Sequence, residues 1–154
     1  GRNVTRMDLV CKFVNMMFLD TIYIMRISKR FEFGLIAAIY LASYYKVRAV
    51  SKKEIAENEN IPYKYLEIVM KLLKNSGIIE SKAGAGGGYM LKINPSAITA
   101  LELFNILEGN ISFENSNQKT TYVYSKLKSA IVNTLKSINL DKLKRMTVSD
   151  EYYI

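Results

Sequence analysis

A mainly α-helical body with a small β wing, built as a winged helix-turn-helix and followed by a long C-terminal dimerisation helix, is the architecture these 154 residues predict. Three features lead there. Two short helical patterns are separated by a tight turn, a glycine-rich hairpin follows them directly, and a late stretch repeats apolar residues every three or four positions. Apolar residues make up 49% of the chain, enough for a packed core.

Residues 1–24 differ from the rest. Leu9, Phe13, Met16 and Met17 stand at helical spacing and would allow a short amphipathic helix, as a packing or dimer element. The preferred reading is an N-terminal extension upstream of a start at Met25. Asn15 and Asp20 interrupt its apolar run and no small-residue cleavage site follows, so no secretory signal is expected.

Over residues 28–45, Phe33, Ile36, Ala37 and Tyr40 form one apolar stripe, broadened by Leu35, Ala38, Ile39 and Ala42, which predicts a buried helix. Ser51-Lys52-Lys53-Glu54 is a capping box: the Ser51 hydroxyl can accept from the Glu54 N–H and the Glu54 carboxylate can reach back. Val50 and Ile55 occupy the staple positions around it. The helix it starts should run to about Asn58, and Glu59-Asn60-Ile61-Pro62 should turn, with Pro62 opening the next helix. That helix, ending near Asn75 and stopped by Gly77, places Leu66, Val69, Met70 and Leu73 on one face and Lys64, Glu67, Lys71 and Lys74 elsewhere.

Residues 78–82 and 89–93 read as two strands around Gly84-Ala85-Gly86-Gly87-Gly88. Glycines are costly to order, so such a run is expected where a side chain would intrude or where φ is positive. A tight hairpin lying against a phosphate backbone needs both. Thr99-Ala100-Leu101-Glu102 is a second capping box, Gly109 closes its helix, and residues 111–119 form a polar loop. The last helix, over residues 121–138, carries a seam of Val123, Leu127, Ala130, Ile131, Thr134 and Ile138. Packing on its own domain is one use for the seam. A dimer contact is preferred, because no later stretch is large enough to cover it. The expected organisation is thus an extension (1–24), a winged helix-turn-helix domain (25–93), dimerisation helices (94–145) and a tail (146–154).

The net charge is +8, concentrated at residues 25–92, where twelve basic residues face six acidic ones, a surplus of six. An anionic partner fits that skew better than an evenly solvated surface does. One cysteine, Cys11, excludes an intrachain disulfide and a multi-cysteine metal site, and the lack of histidine excludes Ser-His and Cys-His catalysis and histidine-ligated zinc. No catalytic residues, cofactor or metal site are expected. The glycine run is no dinucleotide fingerprint, since the sixth position from Gly84 is Tyr89 and a strand, not a helix, follows; no Gly-Lys-Ser/Thr supports a P-loop. No apolar run reaches membrane-spanning length, and a cytoplasmic protein without a membrane partner is expected.

Double-stranded DNA is the expected partner. The helix from Tyr63 would enter the major groove with its N-terminal end toward base edges. Lys64 and Glu67 are the candidate base readers, and Glu67 could accept from a cytosine amino group, although an ion pair with Lys71 is its plain alternative. Lys52, Lys53, Lys71 and Lys74 fit phosphate contacts, which set affinity rather than sequence preference. Tyr65 is expected to pack inward.

The segments Met25-Arg26-Ile27-Ser28-Lys29-Arg30-Phe31, Ser51-Lys52-Lys53-Glu54-Ile55-Ala56, Tyr65-Leu66-Glu67, Gly84-Ala85-Gly86-Gly87-Gly88-Tyr89, Ile98-Thr99-Ala100 and Leu107-Glu108-Gly109 together resemble the Rrf-two family of bacterial winged-helix repressors. The resemblance extends from about Met25 to the C-terminus. It implies homodimers that cross their long C-terminal helices on palindromic operators. With it, the DNA-binding set becomes Arg26, Ser28, Lys29, Lys52, Lys53, Tyr63, Lys64, Glu67, Lys71, Lys74, Lys82, Gly84, Gly86 and Gly87. Two departures matter. Iron–sulfur members carry three cysteines in the loop before the long helix, and residues 111–119 have none, so cluster sensing is not expected. Members often place an arginine before the first wing glycine; Ala83 stands here, with Lys82 beside it as a phosphate contact.

The ending Glu151-Tyr152-Tyr153-Ile154 resembles the tail of the branch that represses cysteine metabolism, and tails that insert into the active site of cysteine synthase. Through Tyr152, Tyr153 and Ile154 that enzyme becomes a candidate partner, with the terminal carboxylate imitating an amino-acid carboxylate. The rival expectation is an interaction adaptor whose winged helix no longer grips DNA, for which Ala83 is the best support.

Overall fold

The computed structural model describes residues 27–113 and 117–146. The possible helix of Leu9, Phe13, Met16 and Met17, residue Arg26, and the tail with Tyr152, Tyr153 and Ile154 lie outside them.

Helix α1 (Lys29–Ser43) starts at Ser28, whose hydroxyl accepts from the Phe31 N–H. Its inner face is made of small residues, Gly34, Ala37, Ala38 and Ala42, with Phe31 and Leu41. Small residues allow close approach: a Cβ on Gly34 would stand 2.5 Å from the Leu107 side chain. Helix α2 (Lys52–Glu59) is capped as expected, with Ser51 Oγ accepting from the Glu54 N–H at 3.1 Å. The reciprocal half of the box does not form. The Glu54 carboxylate instead takes a fork of two bonds from Arg48, at 2.9 and 2.5 Å, and the hydroxyl of Tyr40 at 3.1 Å. A charge-assisted fork with a guanidinium outcompetes a single backbone N–H. Asn60, in left-handed conformation at φ 52°, ends α2.

Helix α3 (Tyr63–Asn75) follows Pro62 and buries Leu66, Val69, Met70 and Leu73. Gly77 at φ 82° terminates it and turns the chain into β1 (Ile79–Lys82). Strand β1 pairs antiparallel with β2 (Gly88–Leu91), Ile79 opposite Leu91 and Lys82 opposite Gly88. Val50 completes the wing from its other side, exchanging two backbone bonds with Tyr89 at 2.9 and 2.7 Å. A 3-10 turn (Pro95–Ala97) leads to α4 (Ala100–Glu108), capped by the Thr99 hydroxyl and closed by Gly109 at φ 90°.

The long helix α5 (Gln118–Lys136) begins earlier than residues 121–138 suggest, because the Asn117 side chain accepts from the Lys119 N–H and caps it. It also ends earlier. Ile138 lies in the connection after it, where its carbonyl accepts from the Ala100 N–H at 2.8 Å. Ile138 therefore leaves the seam. A further short helix, α6 (Leu140–Met146), packs on α1 and fully buries Leu140. The core does not stop at Ile93: Ile98, Leu103 and Leu107 join Leu41, Val50, Ile55, Leu66, Met70, Leu73 and Ile78 in one cluster. Residues of 94–145 thus build the winged-helix body as well as the long helix.

Candidate nucleic-acid interface

Burying one face of α3 leaves the opposite side to solvent, and that side holds Tyr63, Lys64, Glu67, Ile68, Lys71 and Asn75. No side chain caps the start of α3, which leaves the positive end of its dipole without a side-chain partner, although the Tyr65 amide donates to the Pro62 carbonyl at 2.9 Å. Tyr65 is also exposed, but its ring lies against Phe33 with centroids 5.3 Å apart, which uses the ring for packing.

Lys52 reaches from α2 to α3. Its Nζ is 3.6 Å from Glu67 Oε1 and 5.4 Å from the centre of the Tyr63 ring. Burial works against its charge, but Tyr63, Tyr89 and Glu67 outweigh that and hold its ammonium above the ordinary lysine range. Glu67 therefore pairs across helices with Lys52, not along its own helix with Lys71. Sequence spacing suggests only the second, because an i,i+4 partner is local and a helix-to-helix partner is not.

The other lysines have varied settings. Lys74 Nζ donates to Ser81 Oγ at 2.7 Å, tying the end of α3 to the wing. Lys53 stands 3.9 Å from Glu57 on an exposed surface. Lys29 pairs with Glu32 at 2.7 Å and lies over the Phe33 ring. The Ser28 hydroxyl is occupied within the fold, accepting from Phe31 and donating to Glu108.

In the wing, Lys82 is exposed beside the tip. Gly84 and Gly86 have φ of 87° and 70°, and a Cβ on either would meet nothing within 4 Å. Gly87 and Gly88 differ. A Cβ would stand 2.3 Å from the Lys82 carbonyl oxygen at Gly87 and 2.4 Å from that of Val50 at Gly88. The hairpin itself requires these two, whereas Gly84 and Gly86 serve turn conformation on the open side.

Behind the interface lies a cluster that sequence reasoning missed. Arg48 stacks on Tyr44, 4.1 Å from its ring centre, while gripping Glu54; Asn58 Nδ2 donates to the Tyr40 hydroxyl at 3.0 Å. The Arg48 bonds hold Glu54 below the usual carboxylate range, against the opposing effect of burial. Burial, with Tyr44 and Glu54 alongside, pushes the Tyr40 phenol up. This network ties α1 to the start of α2, and so sets where Lys52 stands.

Helix α5 buries none of its residues. Val123, Leu127 and Ile131 are 55%, 47% and 38% exposed, and Ala130 and Thr134 beside them are exposed as well. Tyr122 adds a further exposed ring. Among the described residues, no helix is long and apolar enough to cross a membrane.

A family model described as "Rrf2: Iron-dependent Transcriptional regulator" matches residues 27–150. The transcriptional regulator CymR of Bacillus subtilis is 33% identical over 131 residues, covering 82% of this chain and 95% of the relative. The solved structure of that protein, described as the global cysteine regulator of B. subtilis, superposes with a TM-score of 0.73 at 30% identity, over 82% of this chain and 99% of that one. The structure of T. potens IscR gives a TM-score of 0.71 at 30% identity, over 84% and 93%. The iron in the family description finds no matching thiolate donors: the chain has no histidine and one cysteine, Cys11, and residues 111–119 contain neither. Among the described residues no three His, Cys, Asp or Glu side chains converge to hold a metal.

Proposed function

Because the chain belongs to the Rrf2 family, whose members regulate transcription and are not enzymes, we propose that it is a cluster-free repressor that binds a palindromic operator as a homodimer. The outward side of α3 carries this reading. Lys64 and Glu67 stand near its open N-terminal end, Lys71 follows one turn on, and the wing projects beside it with Lys82. A helix of that kind suits the major groove, with phosphate contacts from the surrounding lysines. The uncovered stripe of Val123, Leu127, Ala130, Ile131 and Thr134 supports the homodimer, since a two-fold pair buries it twice and presents two α3 helices to a two-fold DNA site. Action in the cytoplasm follows from that role.

The physiological setting comes from the B. subtilis relative, a cysteine regulator, and points to genes of cysteine or sulfur metabolism. Tyr152, Tyr153 and Ile154 add a second proposed contact, insertion of this segment into the active site of cysteine synthase. Selection of bound duplexes from a random pool, with and without that enzyme, tests both parts. The reading predicts an inverted repeat as the selected sequence. A pool that never departs from random would overturn the operator, and unchanged calorimetric binding of cysteine synthase after deletion of Ile154 would overturn the tail contact.

A further inference from the structure

Ile68 is an aliphatic side chain in the middle of a charged surface. It is 43% exposed and lies one turn from both Lys64 and Lys71, on the side of α3 turned away from Leu66, Val69, Met70 and Leu73. The core makes little use of it, and a β-branched residue does not favour an exposed helix position. Single exposed aliphatics are common on protein surfaces. The neighbours of this one restrict what it can meet. Lys64 and Lys71 flank it and Glu67, held by Lys52, adjoins it, so whatever docks there must be anionic around an apolar spot. In the major groove of a duplex, thymine supplies such a spot with its C5-methyl group.

Building on the operator-binding reading, we propose that Ile68 is a specificity-determining residue that reads thymine through contact with its C5-methyl, beside the base pair met by Glu67. The contact is van der Waals only and adds no hydrogen bond. The discrimination it gives is therefore modest and separable from that of Glu67.

The test replaces each thymine of the selected operator in turn with deoxyuridine, which removes the methyl and leaves every hydrogen-bonding group in place. The full-length protein should lose affinity by about fourfold per half-site at one position, the effect of one buried methyl. Ile68→Ala should bind the thymine and uracil duplexes equally, and 5-methylcytosine at that position should restore part of the wild-type affinity to a cytosine-bearing duplex. An operator whose affinity no uracil replacement changes would overturn the Ile68 assignment alone, as would an Ile68→Ala protein as sensitive as wild type. Failure to prefer any sequence would overturn this assignment and the operator reading together.

Discussion

Substituting alanine at Gly88 and at Gly84 separates the two uses of glycine in the wing. Both positions have positive φ, 146° and 87°, so both variants carry the strain of a side chain in a sparsely populated region, about 1–3 kcal/mol each. Only Gly88 adds a collision, with the Val50 carbonyl oxygen 2.4 Å from the new Cβ. Relief requires Val50 and β2 to move apart, which breaks the paired bonds between Val50 and Tyr89. Two backbone hydrogen bonds contribute about 1–3 kcal/mol together. Gly88→Ala should therefore be less stable than Gly84→Ala by about 1–3 kcal/mol, read as the difference in urea unfolding midpoints by circular dichroism at equal m-values. The wing would also separate from the start of α2, and operator affinity should fall with stability. Equal midpoints for the two variants would refute the idea that Gly88 is required by packing inside the hairpin.

Three further substitutions probe other parts of the molecule. Lys52→Met should leave the fold within about 1 kcal/mol of wild type, as expected for an ion pair whose Glu67 partner is solvent-exposed, yet narrow the ratio of operator to random-DNA affinity because Glu67 loses its anchor; an unchanged ratio in competition gel shifts would show that Glu67 needs no positioning. Leu127→Asp should shift the protein toward monomer in sedimentation velocity by placing charge in the apolar stripe of α5, and an undiminished dimer would move the interface elsewhere. Glu54→Gln should be less stable than wild type at neutral pH. Since Glu54 is held below its ordinary range in the folded protein, its contribution is present above that range and disappears as pH falls below about 4.3, so the deficit should shrink on acidification; a deficit that grows toward acid pH would contradict the sign.

Local rules made much of this molecule legible. The 3.6-residue period marks the buried side of α3, and Ser51 and Thr99 cap the helices they announce. Glycine density marks the wing, and the long exposed stripe marks α5. What escaped sequence reasoning is tertiary. Glu54 leaves its capping box because Tyr40 comes within reach only after α1 and α2 have packed, and Arg48 only once the chain between those helices has turned. Glu67 finds Lys52 for the same reason. Ile138 shares the spacing of the seam but is drawn into the connection by its bond to Ala100, and α6, only seven residues long, is held by burial of Leu140 and not by a strong periodic signal. The glycines at 87 and 88 were expected where a side chain would intrude, but the obstacle is the protein's own carbonyl groups.

The most direct measurement is equilibrium binding of the full-length protein to the selected duplex across a salt series, with the number of chains per duplex determined by sedimentation. The account predicts two chains per duplex and an affinity that falls steeply and log-linearly with salt. In Lys71→Ala the slope should flatten by about one for each phosphate that is no longer neutralised. A single chain on the duplex, or binding indifferent to salt and to Lys71, would contradict it.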